Sequence, residues 1–111
     1  MEQAKLLQHG KQIIKEGKIE SVQLLYKTIK HKSKHVKMNI EYMFCQLFNC
    51  ACQHSKKDII HRLLQMYFES FPETQMIALR QFFFYGKYLI KNQRVKSWYA
   101  SSVIPIFKQK A

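Results

Sequence analysis

The sequence predicts an all-α fold, and three observations support this prediction. The chain has only three glycines and two prolines in 111 residues, too few for the many turns of a sandwich or barrel. Apolar residues recur at intervals of three and four over most of its length. The stretch 72–91 is apolar around most of a helical circumference, which is typical of a buried helix. We predict a single domain, residues 1–111, of five to six antiparallel helices in helical hairpins around a buried central helix, 72–91.

The first hairpin is predicted from residues 2–16 and 19–30. The apolar face of the first helix includes Gly10, where the missing side chain would let another backbone approach. Gly17 is expected to end that helix, since glycine adopts the left-handed conformation cheaply. The short connection then makes the two helices antiparallel.

Residue types in this hairpin follow a known repeat pattern at Leu6, Gly10, Ile13, Gly17, Val22, Tyr26 and Ile29. The segment 6–29 thereby resembles a tetratricopeptide repeat, which implies a helix–turn–helix unit. One period of about 34 residues further on, Phe44, Ala51 and Lys56 occupy positions that the pattern reserves for other residue types. The sequence therefore predicts one repeat-like hairpin and no second copy.

Three further helices are predicted besides the central one, at about 39–53, 56–70 and 94–102. Ser55 and Asp58 have capping-box spacing, so Ser55 is expected to cap the 56–70 helix at its N-terminus. The last helix is expected to be disturbed or ended at Pro105.

The net charge of +12 is the strongest indication of function. Such an excess favours polyanionic partners: nucleic acid, an anionic membrane surface or an acidic protein. Three cysteines, an odd number, do not suggest a disulfide framework, and the N-terminus lacks the apolar segment of a signal peptide. We therefore expect an intracellular protein of the nucleus or cytoplasm.

Catalytic chemistry is poorly represented in the sequence. The seven acidic residues form no i, i+3 or i+4 pair within an unbroken predicted helix, and no phosphate-binding glycine loop or nucleophile motif occurs. We expect no enzyme, no catalytic residues, no cofactor and no small-molecule substrate.

Potential metal ligands are concentrated in one stretch of seventeen residues. Cys45, Cys50, Cys52, His54 and His61 lie there, but the C-x2-C spacing of zinc sites is absent. Thiols that pack in the third helix are the expected interpretation, with no metal site.

Clustered positive charge makes nucleic-acid binding the leading hypothesis. The segment 27–37 carries five lysines and no acid, and the chain after Glu73 has no carboxylate. The candidate binding residues are Lys27, Lys30, Lys32, Lys34, Lys37, Lys87, Lys91, Arg94 and Lys96. Trp98 and Tyr99 would either stack on unpaired bases or pack in the core. Without a base-reading motif, the contacts are expected to be with phosphates and not sequence-specific.

A protein-interaction module is the alternative hypothesis. The aromatic run 82–85 has more aromatic surface than a small domain usually buries. We expect part of it to face an acidic or apolar partner segment, or a second copy of the chain. A membrane span is rejected because charged residues interrupt 72–91.

Overall fold

A computed structural model of the protein describes residues 2–70 and 80–109. These residues form helices, with no strand among them, which confirms the all-α class. The helices are α1 (Glu2–Glu16), α2 (Ile19–Lys32), α3 (Ile40–Gln53), α4 (Lys57–Ser70), α5 (Arg80–Leu89), α6 (Gln93–Trp98) and α7 (Ile104–Gln109), with a π-helical segment, Tyr99–Val103, between the last two. The first part of the predicted central helix, 72–79, lies outside the described residues.

Two helical hairpins pack against each other and carry the C-terminal helices. Helix α1 packs against α2 and α3, and α4 packs against α3 and α2. Helix α5 lies against α3 and also contacts α7. Because α3 contacts α1, α4 and α5, it buries an almost continuous apolar surface: Met43, Phe44, Leu47, Phe48, Cys50, Ala51 and Cys52.

The first two hairpins turn with the same backbone geometry. Gly17 has φ +77°, and its N–H donates to the Ile14 carbonyl while the N–H of Lys18 donates to that of Ile13. This pair of hydrogen bonds is the Schellman motif, which satisfies the last carbonyls of a helix. The predicted end of α1 at Gly17 is confirmed.

Ser55 takes the equivalent place at the end of α3, so the prediction that it caps α4 is wrong. It has φ +52°, and the N–H groups of Ser55 and Lys56 donate to the carbonyls of Cys52 and Ala51. The Ser55 hydroxyl accepts a hydrogen bond from the N–H of Asn92, 3.0 Å away. The α3–α4 turn is thereby joined to the α5–α6 connection.

Gly10 marks a close approach, but of side chains and not of the backbone that we expected. A Cβ atom at Gly10 would lie 2.6 Å from a Leu47 methyl and 2.7 Å from a Leu25 methyl. The two leucines come from α3 and α2, so the absence of a side chain at position 10 allows three helices to meet.

Five buried aromatic rings from four elements form the core. Phe83 of α5 lies 5.2 Å from Phe48 and 5.0 Å from Tyr67, between ring centroids. Phe44 contacts Tyr67 at 4.9 Å, and Tyr99 lies 6.3 Å from Phe48. Such pairs contribute about 0.5–1.5 kcal/mol each beyond their area burial. The cluster ties α3, α4, α5 and the π-helical segment together.

Tyr99 also makes a specific polar contact with α5. Its hydroxyl donates a hydrogen bond to the Phe83 carbonyl in a fully buried position. Gly86 makes this possible, because a Cβ atom there would lie only 2.5 Å from the Tyr99 hydroxyl.

The last helical segment continues past Pro105. The predicted helix over 94–102 begins one residue earlier, at Gln93, where Asn92 caps it by accepting the N–H of Val95 at 3.1 Å. Before the proline the helix widens: the N–H of Ile104 donates to the Tyr99 carbonyl, five residues back. Proline lacks an N–H and its ring clashes with the carbonyl four residues back, and a π-turn is one way to accommodate this. The disturbance that we predicted takes this form.

Replacing Gly86 by alanine tests the contact between α5 and Tyr99. We expect Gly86→Ala to lower the free energy of unfolding by about 1–3 kcal/mol, since overpacking outweighs the better helix propensity of alanine. Tyr99→Phe removes the oxygen that the new methyl would meet, so the double variant should be more stable than the sum of the two changes predicts. Urea unfolding measures the free energy of unfolding of the two single variants and of the double variant. Additive effects would show that the two residues are not in contact.

Two substitutions at Ser55 separate backbone conformation from hydrogen bonding. Both Ser55→Gly and Ser55→Ala remove the acceptor for Asn92, but only glycine adopts φ +52° without strain. The alanine variant should therefore be less stable than the glycine variant by about 1 kcal/mol in urea unfolding. Equal stabilities would contradict a left-handed conformation at this position.

Candidate nucleic-acid interface

The three short connections of the described chain lie at one end of the helical bundle, which we call the turn end. The α1–α2 turn contains Gly17, and the side chain of Lys56 approaches it, with Nζ 3.6 Å from where a Cβ atom would be. The α3–α4 turn contacts the α5–α6 connection through Ser55 and Asn92. The segment 33–39 lies at the other end, where the N–H of Asn39 donates to Gln3 near the start of α1.

This topology divides the nine predicted binding residues between the two ends. The linker cluster, at the far end, comprises Lys27, Lys30, Lys32, Lys34 and Lys37. Lys27 and Lys30 are exposed on α2, Lys32 is half-buried at its end, and Lys34 and Lys37 are exposed in the linker. The remaining four, Lys87, Lys91, Arg94 and Lys96, belong to α5, α6 and the connection between them.

A second cluster forms at the turn end from residues far apart in sequence. We define the turn-end cluster as Lys56, Lys57, Lys91 and Arg94. Lys56 and Lys57 follow Ser55 directly, while Lys91 and Arg94 flank its hydrogen-bond partner Asn92. All but the half-buried Lys56 are exposed. The hydrogen bond between the two turns therefore brings four cations from two parts of the chain into one region.

Lys18, at the same end, is already neutralised locally. Its Nζ lies 2.9 Å from a carboxylate oxygen of Glu16. A hydrogen bond from Gln12 and the charge of Lys18 lower the pKa of Glu16, so this carboxylate stays ionised and keeps its partner. Lys18 is therefore not included in the cluster.

The two clusters are electrostatically separate under ordinary salt conditions. Helix α2 has 14 residues and leads from the turn end to the linker, a distance of about 20 Å at the helical rise of about 1.5 Å per residue. Exposed charges separated by more than the Debye length, about 10 Å at 0.1 M salt, are largely screened from each other. The clusters are thus two separate regions of positive charge.

Of the two aromatic residues proposed for base stacking, Tyr99 is a core residue. It is fully buried and burial raises its pKa, so it has no face free for a ligand. Trp98 is half-buried, with Lys57 Nζ 5.4 Å from the centre of its ring and His61 against it at 6.4 Å. The ring of Trp98 thus packs against Lys57 of the turn-end cluster.

Exposed aromatic residues occur instead on α5. Tyr85 and Tyr88 are 65% and 66% exposed, although the helix pattern predicted burial over most of the circumference. Phe83, Gly86 and Ile90 make the buried side of the helix. The sequence signal that could have separated the two tyrosines is their i, i+3 spacing beside Lys87 and Lys91, which places them together on a charged face.

The cysteines are packing residues with unreactive thiols. Burial raises the pKa of Cys52 to about 12, and burial together with the charge of Glu41 raises that of Cys45 to about 11. Burial also raises the pKa of Cys50, whose thiol donates a hydrogen bond to the Lys11 carbonyl. The thiolate is the nucleophilic form, so a raised pKa makes these cysteines less reactive than free thiols. The described residues contain no group of three or more potential metal ligands.

Within the described residues, none of the helices has the length and apolar character that crossing a bilayer requires. No protein-family model, curated protein or solved structure matches this chain. The resemblance of residues 6–29 to a tetratricopeptide repeat stays a prediction.

The buried thiols predict how stability depends on alkaline pH. The folded pKa of Cys52 lies above the value of about 8.5 for an unfolded thiol. Its contribution to stability is therefore complete below pH 8.5 and is lost as the pH rises toward 12. Between pH 8 and 10 the Cys52 thiol ionises in the unfolded chain and not in the folded one, which lowers the free energy of unfolding by about 2 kcal/mol. Urea unfolding at both pH values should show a smaller decline for Cys52→Ala than for the unmodified chain. Equal declines would contradict a shifted pKa at Cys52.

Proposed function

We propose that this protein is a non-enzymatic binding module that holds nucleic acid, RNA or DNA, by its phosphate backbone and without strong sequence specificity. The observation that carries the proposal is the turn-end cluster, in which cations on separate segments converge on one end of the helical bundle. The linker cluster is a second contact, about 20 Å away. We also propose that the protein acts inside the cell, in the nucleus or cytoplasm.

Phosphate binding explains why the cations are clustered. Four lysine and arginine side chains close together repel one another and oppose folding, unless a polyanion neutralises them. Each phosphate contact releases condensed counterions. Four contacts at the turn end give a slope of log affinity against log salt of about −3.6 for a duplex, or about −2.8 for a single strand.

Binding of another protein is the second candidate function, and one feature of the surface favours it. A groove of about 430 Å³ lies between α1 and α2, lined by Leu6, Ile13, Leu24 and Leu25 among others. Leu24 is 67% exposed there. An apolar peptide or a second copy of the chain would cover such a side chain.

Matched charge reversals test which cluster binds. We compare Lys91→Glu/Arg94→Glu with Lys34→Glu/Lys37→Glu, two pairs of exposed residues that change the net charge equally. Affinities come from fluorescence anisotropy of labelled nucleic acid at several salt concentrations. On a hairpin of three base pairs, about 10 Å long and therefore too short to reach both clusters, the turn-end variant should bind at least about tenfold more weakly than the unmodified chain. Its slope of log affinity against log salt should be smaller by about 2, and the linker variant should bind almost as the unmodified chain does. On a 20-base-pair duplex, which reaches both clusters, both pairs should bind more weakly.

Leu24→Gln is the control for the alternative function and should leave nucleic-acid binding unchanged. Equal losses for the two pairs on the short hairpin would overturn the assignment to the turn end. If the unmodified chain does not bind at physiological salt, and light scattering shows a dimer that Leu24→Gln dissociates, the protein-binding function replaces the proposal.

A further inference from the structure

The exposed face of α5 carries two aromatic rings that the core does not use. Tyr85 and Tyr88 are separated by three residues, which places them on one side of the helix. Their ring centroids are 6.2 Å apart and the ring planes are inclined by 48°. About two-thirds of each side chain is open to solvent. Each ring therefore has exposed surface that a ligand can reach.

Positive charge surrounds this tyrosine pair. Lys87 Nζ lies 5.0 Å from the centre of the Tyr88 ring, and Lys91 is exposed three residues after Tyr88, in the connection that follows α5. Lys91 also belongs to the turn-end cluster, so one member of that cluster lies three residues after Tyr88 in the chain. The sequence after Glu73 contains seven lysines and arginines and no acidic residue. A ligand of this surface must combine negative charge with flat apolar groups.

We infer that Tyr85 and Tyr88 stack on two unpaired bases of a single-stranded nucleic acid, whose phosphates contact Lys87 and Lys91. This inference rests on the proposed function and makes it specific for single strands. Base–aromatic stacking tolerates any sequence because every base has a flat π-face. The strand then follows the surface from α5 toward Arg94.

The geometry of the two rings selects a single strand over a duplex. Bases in a duplex are about 3.4 Å apart along each strand and parallel, whereas the two tyrosine rings are 6.2 Å apart and tilted. Two neighbouring bases can each cover a ring only if they are unstacked from one another. A paired base has no free face for a tyrosine ring, because its neighbours in the stack occupy both.

The surroundings of the tyrosines favour a nucleic acid over an apolar protein segment. The other aromatic residues of α5 whose side chains are described, Phe82, Phe83 and Phe84, are buried or half-buried against the core. Among the described side chains of α5, the exposed aromatic area is therefore mainly that of the two tyrosine rings, which lie beside lysines. A protein interface usually has a broader apolar centre from which charged residues are depleted.

Tyrosine variants test the inference against a matched control. Tyr85→Ala/Tyr88→Ala removes both rings and no charge, and Tyr42→Ala removes another exposed tyrosine, 47% exposed on α3. Binding of a labelled 12-nucleotide oligothymidine and of a 12-base-pair duplex is measured by anisotropy over a range of salt. We expect the double variant to lose at least about tenfold in affinity for the single strand, with the salt slope and the duplex affinity unchanged. Tyr42→Ala and Tyr85→Phe/Tyr88→Phe should bind like the unmodified chain.

The possible failures can be distinguished. If the unmodified chain binds neither probe, the proposed function and this inference fail together. If it binds and Lys91→Glu/Arg94→Glu reduces the affinity, but the tyrosine double variant binds the single strand normally, only the inference is overturned. An equal loss for duplex and single strand, or a double variant that dissociates a dimer in light scattering, would also overturn it. Circular dichroism and urea unfolding confirm that each variant remains folded.

Discussion

The hydrogen bond from the Tyr99 hydroxyl to the Phe83 carbonyl, made across Gly86, fixes the C-terminal helices on the bundle. A buried hydroxyl without a partner would cost about 1–3 kcal/mol. Tyr99 can therefore enter the core only where a carbonyl is accessible. Within a helix, a carbonyl is normally shielded by neighbouring side chains, and glycine at position 86 leaves it open. The position of α5 against the π-helical segment follows from this one contact and from the aromatic rings around it.

The outward face of α5 is a consequence of the same contact. With Phe83, Gly86 and Ile90 directed into the core, a helix of 3.6 residues per turn must direct Tyr85 and Tyr88 to solvent. The end of α5 then leads into the connection whose Asn92 N–H is held by Ser55. In this way the buried contact determines both where the tyrosine pair points and where Lys91 and Arg94 lie.

The distribution of charge follows from the hairpin topology. Antiparallel helices bring every second connection to the same end, so cations near the α3–α4 turn and near Asn92 meet at the turn end although they are far apart in sequence. The lysines of the 33–39 linker and the end of α2 are displaced to the other end by the length of α2. Under the proposed function, a polyanion long enough to span about 20 Å would contact both clusters and a shorter one would contact only one.

The sequence by itself determined the helical class, most helix boundaries and the core of α3, because a period of 3.6 residues and the glycine at position 17 are local signals. It also located the lysines of 27–37 along the chain, and Lys91 and Arg94 of the turn-end cluster, but not Lys56 and Lys57 as candidate residues. The tertiary structure decided the features that depend on contacts between residues far apart in the sequence. Ser55 adopts the left-handed conformation because the α3–α4 turn requires it, and its hydroxyl is directed to Asn92, 37 residues away. Whether Tyr88 or Tyr99 is buried depends on which helix lies beside each ring, and both residues have the same intrinsic preference. The basic residues can be read from the sequence one by one, but their division into two clusters depends on the direction of each helix, which only the packing of the hairpins sets.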